Sequence, residues 1–203
     1  MRKTVSVLTV ASLAGLASAQ AIVGWSGGSE FGSYYGSIVA GDVVGWTFQM
    51  SSDMYITDVG LFIDSQDATI TTTHDVGLWD TASQTLLQAW SVGPDGMNNV
   101  INGFGYVDVA DYALSAGDTY TVGFLVFGDD GDGYISGASN VQTDPSLTWL
   151  NSNYPVDADF GFVFPVNTST SGGRWGANFL LSDIPAPSTL GLLALGLVAR
   201  RRR

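Results

Sequence analysis

Thr119-Tyr120-Thr121-Val122-Gly123-Phe124-Leu125-Val126-Phe127 decides the fold class. Its apolar side chains fall on alternate residues, so Tyr120, Val122, Phe124 and Val126 share one face of an extended strand. On either side the same pattern returns in short runs. The candidates are Val43 to Met50, Tyr55 to Ile63, Asp75 to Trp79, Leu86 to Val92, Phe104 to Val109, Phe160 to Val166 and Trp175 to Leu181. Turn signals punctuate them: Pro94-Asp95-Gly96, Asn102-Gly103, Ala116-Gly117-Asp118 and Asp130-Gly131-Asp132-Gly133. No stretch between the ends sustains a helical period with caps. The expectation is an all-β, antiparallel β-sandwich, jelly-roll-like, flanked by an N-terminal signal helix and a short C-terminal apolar helix.

Charge separates the middle from the ends. Of seven basic residues, Arg2, Lys3 and Arg200 to Arg203 lie in the termini, while all nineteen acids lie between Glu30 and Asp183. From Gln20 to Ala186 the formal charge is −18, with Arg174 as the one base and Glu30 as the one Glu. So negative a surface repels phosphate backbones, which excludes nucleic acid as a partner of this region. It tolerates salt and offers hard oxygen ligands. With no cysteine, disulfides, thiolate catalysis and zinc-thiolate sites are excluded.

Met1-Arg2-Lys3, an apolar run from Val5 to Leu16, and Ala17-Ser18-Ala19 read as a signal peptide over residues 1–19. Cleavage is expected after Ala19, with Ala21 as the alternative. Residues 20–183 form the acidic β domain. Residues 184–203 follow as Ile184-Pro185-Ala186-Pro187-Ser188-Thr189, an apolar run from Leu190 to Ala199, and Arg200, Arg201, Arg202 and Arg203. A helix from Thr189 would be about 16 Å long against a hydrocarbon core of roughly 30 Å. The expectation is a transmembrane helix that serves as a temporary stop during inner-membrane insertion, with its arginines cytoplasmic.

That tail resembles a PEP-CTERM sorting signal over about the last 20 residues. The resemblance implies recognition at Pro185-Ala186-Pro187 by an exosortase-type processing enzyme, removal of the helix, and release or attachment outside the cell. Ala186 stands where the family's usual Glu would be. Secretion machinery and the processing enzyme are the implied partners, and the cell envelope or extracellular space is the expected location. The order Gly45-Trp46-Thr47-Phe48, His74-Asp75-Val76-Gly77-Leu78-Trp79-Asp80 and Leu114-Ser115-Ala116-Gly117-Asp118-Thr119-Tyr120 is similar to DUF4082-like β-sandwich modules of secreted bacterial proteins. That resemblance implies a shape like a carbohydrate-binding module and brings no catalytic residues.

Candidate chemistry is sparse. His74 is the only histidine, and Asp75, as its strand neighbour, points to the opposite face and does not orient it. One histidine without cysteine is also a poor zinc set. The densest acidic turn is Asp129-Asp130-Gly131-Asp132-Gly133, whose glycines let Asp129, Asp130 and Asp132 converge on calcium. It is not an EF-hand loop, since Gly128 and Ser139 fall where the first and last ligands belong. The alternative is a solvated hairpin tip. Trp46 and Trp79 lie inside strong strand patterns and belong to the core. Tyr34, Tyr35 and Trp149 are the candidates for stacking on a glycan. Taken together, the expectation is an exported, non-enzymatic envelope or extracellular-matrix protein that binds polysaccharide. The rivals are a purely structural matrix protein and a hydrolase of extracellular polysaccharide.

Overall fold

The computed structural model describes residues 18–32, 41–65, 68–127, 130–155 and 161–183. Their strands are β1 (Ala19–Gln20), β2 (Ile22–Gly32), β3 (Val43–Met50), β4 (Met54–Phe62), β5 (His74–Asp80), β6 (Leu86–Val92) and β7 (Val100–Ile101). The series continues with β8 (Phe104–Leu114), β9 (Thr119–Leu125), β10 (Gly133–Thr143), β11 (Leu147–Tyr154), β12 (Asn167–Ser169), β13 (Gly172–Trp175) and β14 (Ala177–Asp183). Neighbours pair antiparallel throughout. The all-β, antiparallel expectation therefore stands.

The jelly-roll-like β-sandwich does not. The strands divide among three open sheets, in the orders β1-β14-β4-β8-β7, β13-β10-β2 and β12-β11-β3-β9-β5-β6, and none closes on itself. The cause is visible in the strands that alternation overlooked. β2 and β10 are rich in Gly, Ser and Asn, pair with each other along most of their length, and form with β13 a sheet of their own. Register shifts in β10 at Ile135/Ser136 and Ser136/Ala138 keep that sheet bulged.

The flanking helices are corrected as well. Among the described residues the one helical element is the short 3₁₀ turn Pro94–Asn98, and no helix is long and apolar enough to cross a membrane. The transmembrane-helix expectation is withdrawn with them. It rested on an apolar run about 16 Å long, roughly half of what a bilayer core requires. The segments on which both helices were expected, 1–17 and 184–203, lie outside the described residues.

One apolar core draws on all three sheets. At its centre Trp46 of β3 stacks on Phe179 of β14, with ring centroids 5.5 Å apart and planes 8° from parallel. The Trp46 indole donates from Nε1 to the Ala177 carbonyl at 2.8 Å, so its one polar atom is satisfied where water is excluded. This contact holds the six-stranded sheet against the five-stranded one. In β5, Trp79 folds back over Gly77, where a side-chain carbon would collide with the indole ring. Trp79 then packs on Phe162, with centroids 5.4 Å apart. Glycine at residue 77 is therefore a packing requirement.

The position of β5 places the site. It lies between β9 and β6, and its first residue, His74, pairs with Val92. The alternation of β5 turns His74 into the core and leaves Asp75 exposed, bonded to Ser91.

Candidate metal centre at His74

His74 is fully buried, between the rings of Phe124 and Phe127 at 5.6 and 5.2 Å. Its Nδ1 lies 2.8 Å from the carbonyl oxygen of Leu125 at the end of β9. A carbonyl only accepts, so Nδ1 carries a proton and donates it. That bond continues the β5–β9 pairing through a side chain and fixes the orientation of the ring.

The other nitrogen faces two carboxylates. Nε2 stands 2.9 Å from Asp132 Oδ2 and 3.4 Å from Asp130 Oδ2. Both acids come from the turn that leads into β10, more than fifty residues away in sequence. Asp130 and Asp132 thus converge, and the structure adds an imidazole that no local motif announced. Asp129 lies outside the described residues.

Asp132 is held by more than the histidine. The backbone N–H groups of Thr71 and Thr72 donate to its carboxylate at 3.1–3.2 Å, and the Thr71 hydroxyl, which donates to the Asp130 carbonyl at 2.6 Å, lies 3.2 Å from the same carboxylate. The Thr72 hydroxyl donates to Asp130 Oδ2 at 2.6 Å and lies 3.3 Å from His74 Nε2. Asp130 Oδ1 accepts the backbone N–H of Asp132 at 3.1 Å. These donors explain how two acids persist in a site where Asp132 is 2% exposed.

Burial by itself pulls the His74 pKa down. The hydrogen bonds to Asp132 and Leu125, reinforced by the charges of Asp130 and Asp132, outweigh burial, and the pKa lies above the ordinary histidine value. Without an ion, the imidazole is therefore biased toward the charged form that donates from both nitrogens.

His74 Nε2, Asp130 and Asp132 each offer one ligand atom, all within 4.8 Å of one another, so the cluster can hold a metal ion. The ligand set does not single out calcium. A nitrogen donor sits at its centre, whereas calcium takes six to eight oxygens. Thr71, Thr72 and His74 are the members that sequence reasoning missed. The polar run Thr71-Thr72-Thr73-His74 beside a strand start was the available signal.

The other expected residues lie elsewhere. Trp149 lies in β11 and is half-buried against the core, next to the exposed Leu150. Tyr34 and Tyr35 lie outside the described residues, as does Ala17. Ala19 pairs with Leu181 of β14, so a cut after Ala19 would fall within β1 and leave Gln20 as the first residue. The Gln20 amide donates to Tyr106 Oη at 2.8 Å and to the Ile101 carbonyl at 2.9 Å.

At the other end, β14 runs between β1 and β4 and is described through Asp183. Residues 183–203 match the family model of the PEP-CTERM protein-sorting motif. The sorting motif thus begins at the final described residue of β14. Its Pro185, Ala186, Pro187 and Arg200 to Arg203 lie outside the described residues. No curated protein is similar to the chain at a significant level.

Proposed function

We propose that this chain is an exported envelope or extracellular-matrix protein, processed by an exosortase-type enzyme at its C-terminal motif, whose all-β body has an architectural, non-enzymatic role. The observation that carries the reading is the match of residues 183–203 to the sorting-motif model, which starts at Asp183, the final described residue of β14. Removal of the tail beyond it leaves every described strand, and the core contact of Trp46 with Phe179, in place.

The body's charge agrees with this. Nineteen acids against Arg174 alone keep an exported surface soluble and receptive to cations. A non-enzymatic role is supported by how the His74 cluster spends its donors. The Thr72 hydroxyl donates to Asp130, and the histidine is buried among rings, so neither of these two groups is presented to a substrate. Extracellular polysaccharide is the partner class that fits a matrix role.

Intact-mass analysis of the protein recovered from its producing bacterium tests the reading. The expected species begins at Gln20 and ends near Pro187. A product that keeps Met1 and Arg203 inside the cell overturns it. Retention on the producer's own polysaccharide, without release of reducing ends, is the expected behaviour of a binder, and release of reducing ends would reassign the protein to the hydrolases.

A further inference from the structure

His74, Asp130 and Asp132 come from two distant stretches of chain, and their side chains meet at one buried point. Four features of that point bear on what it holds.

The first is the tautomer. Because Nδ1–H is committed to the Leu125 carbonyl, a neutral His74 directs the Nε2 lone pair at the carboxylates. Metal-bound histidines have this arrangement, with the far nitrogen bonded to a carbonyl that fixes the ring. The second is charge. Two carboxylates and a neutral imidazole balance a divalent ion, whereas a proton on Nε2 leaves one negative charge over in a buried place. The third is spacing. Nε2 lies 2.9 and 3.4 Å from its two oxygens. Ligands at roughly 2.0–2.2 Å from one ion stand about 3.0–3.5 Å apart. The fourth is ligand type. One imidazole, two carboxylates and a neighbouring hydroxyl suit borderline cations such as zinc, cobalt, nickel or manganese, and fall short of the all-oxygen shell of calcium.

We propose that His74, Asp130 and Asp132, with the Thr72 hydroxyl beside them, form a structural site for one divalent cation of the zinc-like class, which ties the turn before β10 to the head of β5. The ion takes the place of the Nε2 proton. It enters from the side of Asp130, which is less deeply buried than His74 and Asp132. Since β10 belongs to the three-stranded sheet and β5 to the six-stranded one, the ion links two sheets that share no ladder. The inference goes beyond the export reading and stands or falls independently of it.

The chain supplies a clean background for the test, having one histidine and no cysteine. The full chain, purified without a histidine tag and stripped by chelator, is titrated separately with zinc, cobalt, manganese, calcium and magnesium. Binding is followed by calorimetry, thermal melting and metal content. The expected result is one zinc or cobalt per chain, and a Tm increase of about 5–10 °C at a hundredfold excess over Kd. Bound cobalt is expected to show visible absorption from an imidazole-containing site.

Asp130→Asn is the informative variant. An amide oxygen in place of Oδ1 still accepts the Asp132 N–H, and the Thr72 hydroxyl can turn to accept from the amide NH2 in place of Oδ2, so the fold is expected to survive while affinity falls more than tenfold. His74→Gln is the second variant, expected to remove binding and the cobalt spectrum. Asp108→Asn, on a different sheet surface, is expected to bind like the parent. The proposal is overturned by a parent chain that takes up no ion, by stabilisation from calcium or magnesium alone, or by zinc binding that Asp130→Asn leaves unchanged.

Discussion

Two groups of aspartates in this molecule have opposite fates. Asp130 and Asp132 are drawn into the protein around His74, where backbone amides, two threonine hydroxyls and an imidazole meet them. Asp58 of β4 and Asp108 of β8 stand opposite each other in register, with Asp111 nearby, on the five-stranded sheet. Among the described residues the only basic side chain besides His74 is Arg174, which lies over the ring of Tyr154 at 4.3 Å. Partial burial holds the Asp58 carboxyl above its ordinary range. The Thr57 hydroxyl works against that shift, and the charges of Asp108 and Asp111 add to it. Density of acids is the same theme in both places. What differs is the supply of donors, and the donors alone turn one group into a site.

The largest effect that separates the two groups is expected at Asp132. Asp132→Ala strands two backbone N–H groups and the imidazole in a dry environment, and is expected to cost about 3 kcal/mol in urea unfolding. Asp108→Ala, by contrast, should change stability by no more than about 0.5 kcal/mol. Equal losses at the two residues would erase the distinction. A smaller effect is expected at Thr72. Thr72→Val removes a hydroxyl that donates to a carboxylate at 2.6 Å, and should cost about 1.5 kcal/mol, with Thr72→Ser restoring most of it.

The smallest effect concerns Asp58 and has the opposite sign. Its folded pKa is raised, so its ionised form opposes folding, and that opposition is relieved as pH falls through the raised folded value toward 3.8. Asp58→Asn is therefore expected to stabilise the protein near pH 7 by about 0.3 kcal/mol, a figure kept small by solvent screening. The gain should shrink as acid unfolding experiments approach pH 4. A destabilised Asp58→Asn at neutral pH would show that the bond from the Thr57 hydroxyl outweighs the cost of the charge it serves.

Much of the fold was legible where side chains alternate. β3 and β6 begin and end at the residues that alternation marks, Val43 to Met50 and Leu86 to Val92. The overlooked strands are held by a different means. β2, from Ile22 to Gly32, and β10, from Gly133 to Thr143, find each other across about a hundred residues through backbone hydrogen bonds, with few apolar side chains to advertise a face. Residues 161–166 failed in the other direction: the run ending at Val166 looked like a strand, yet no strand forms there. Phe162 and Phe164 instead pack over Trp79 from outside the ladder. Of the site, the aspartates could be read from their glycine-rich turn. The histidine could not, because its partners are a consequence of the β5–β9–β10 arrangement and not of any spacing along the chain. The tail was the most legible segment, since a sorting motif is recognised as a linear string.

The placement of β14 has a mechanical consequence. Force applied through residue 183 runs along the axis of a strand flanked by β1 on one side and β4 on the other. Such a load shears the long ladder with β4 as a unit instead of opening it bond by bond, and Phe179, within the strand itself, stacks on Trp46 against the pull. An anchor fastened at this end would grasp the body by one of its best-secured threads.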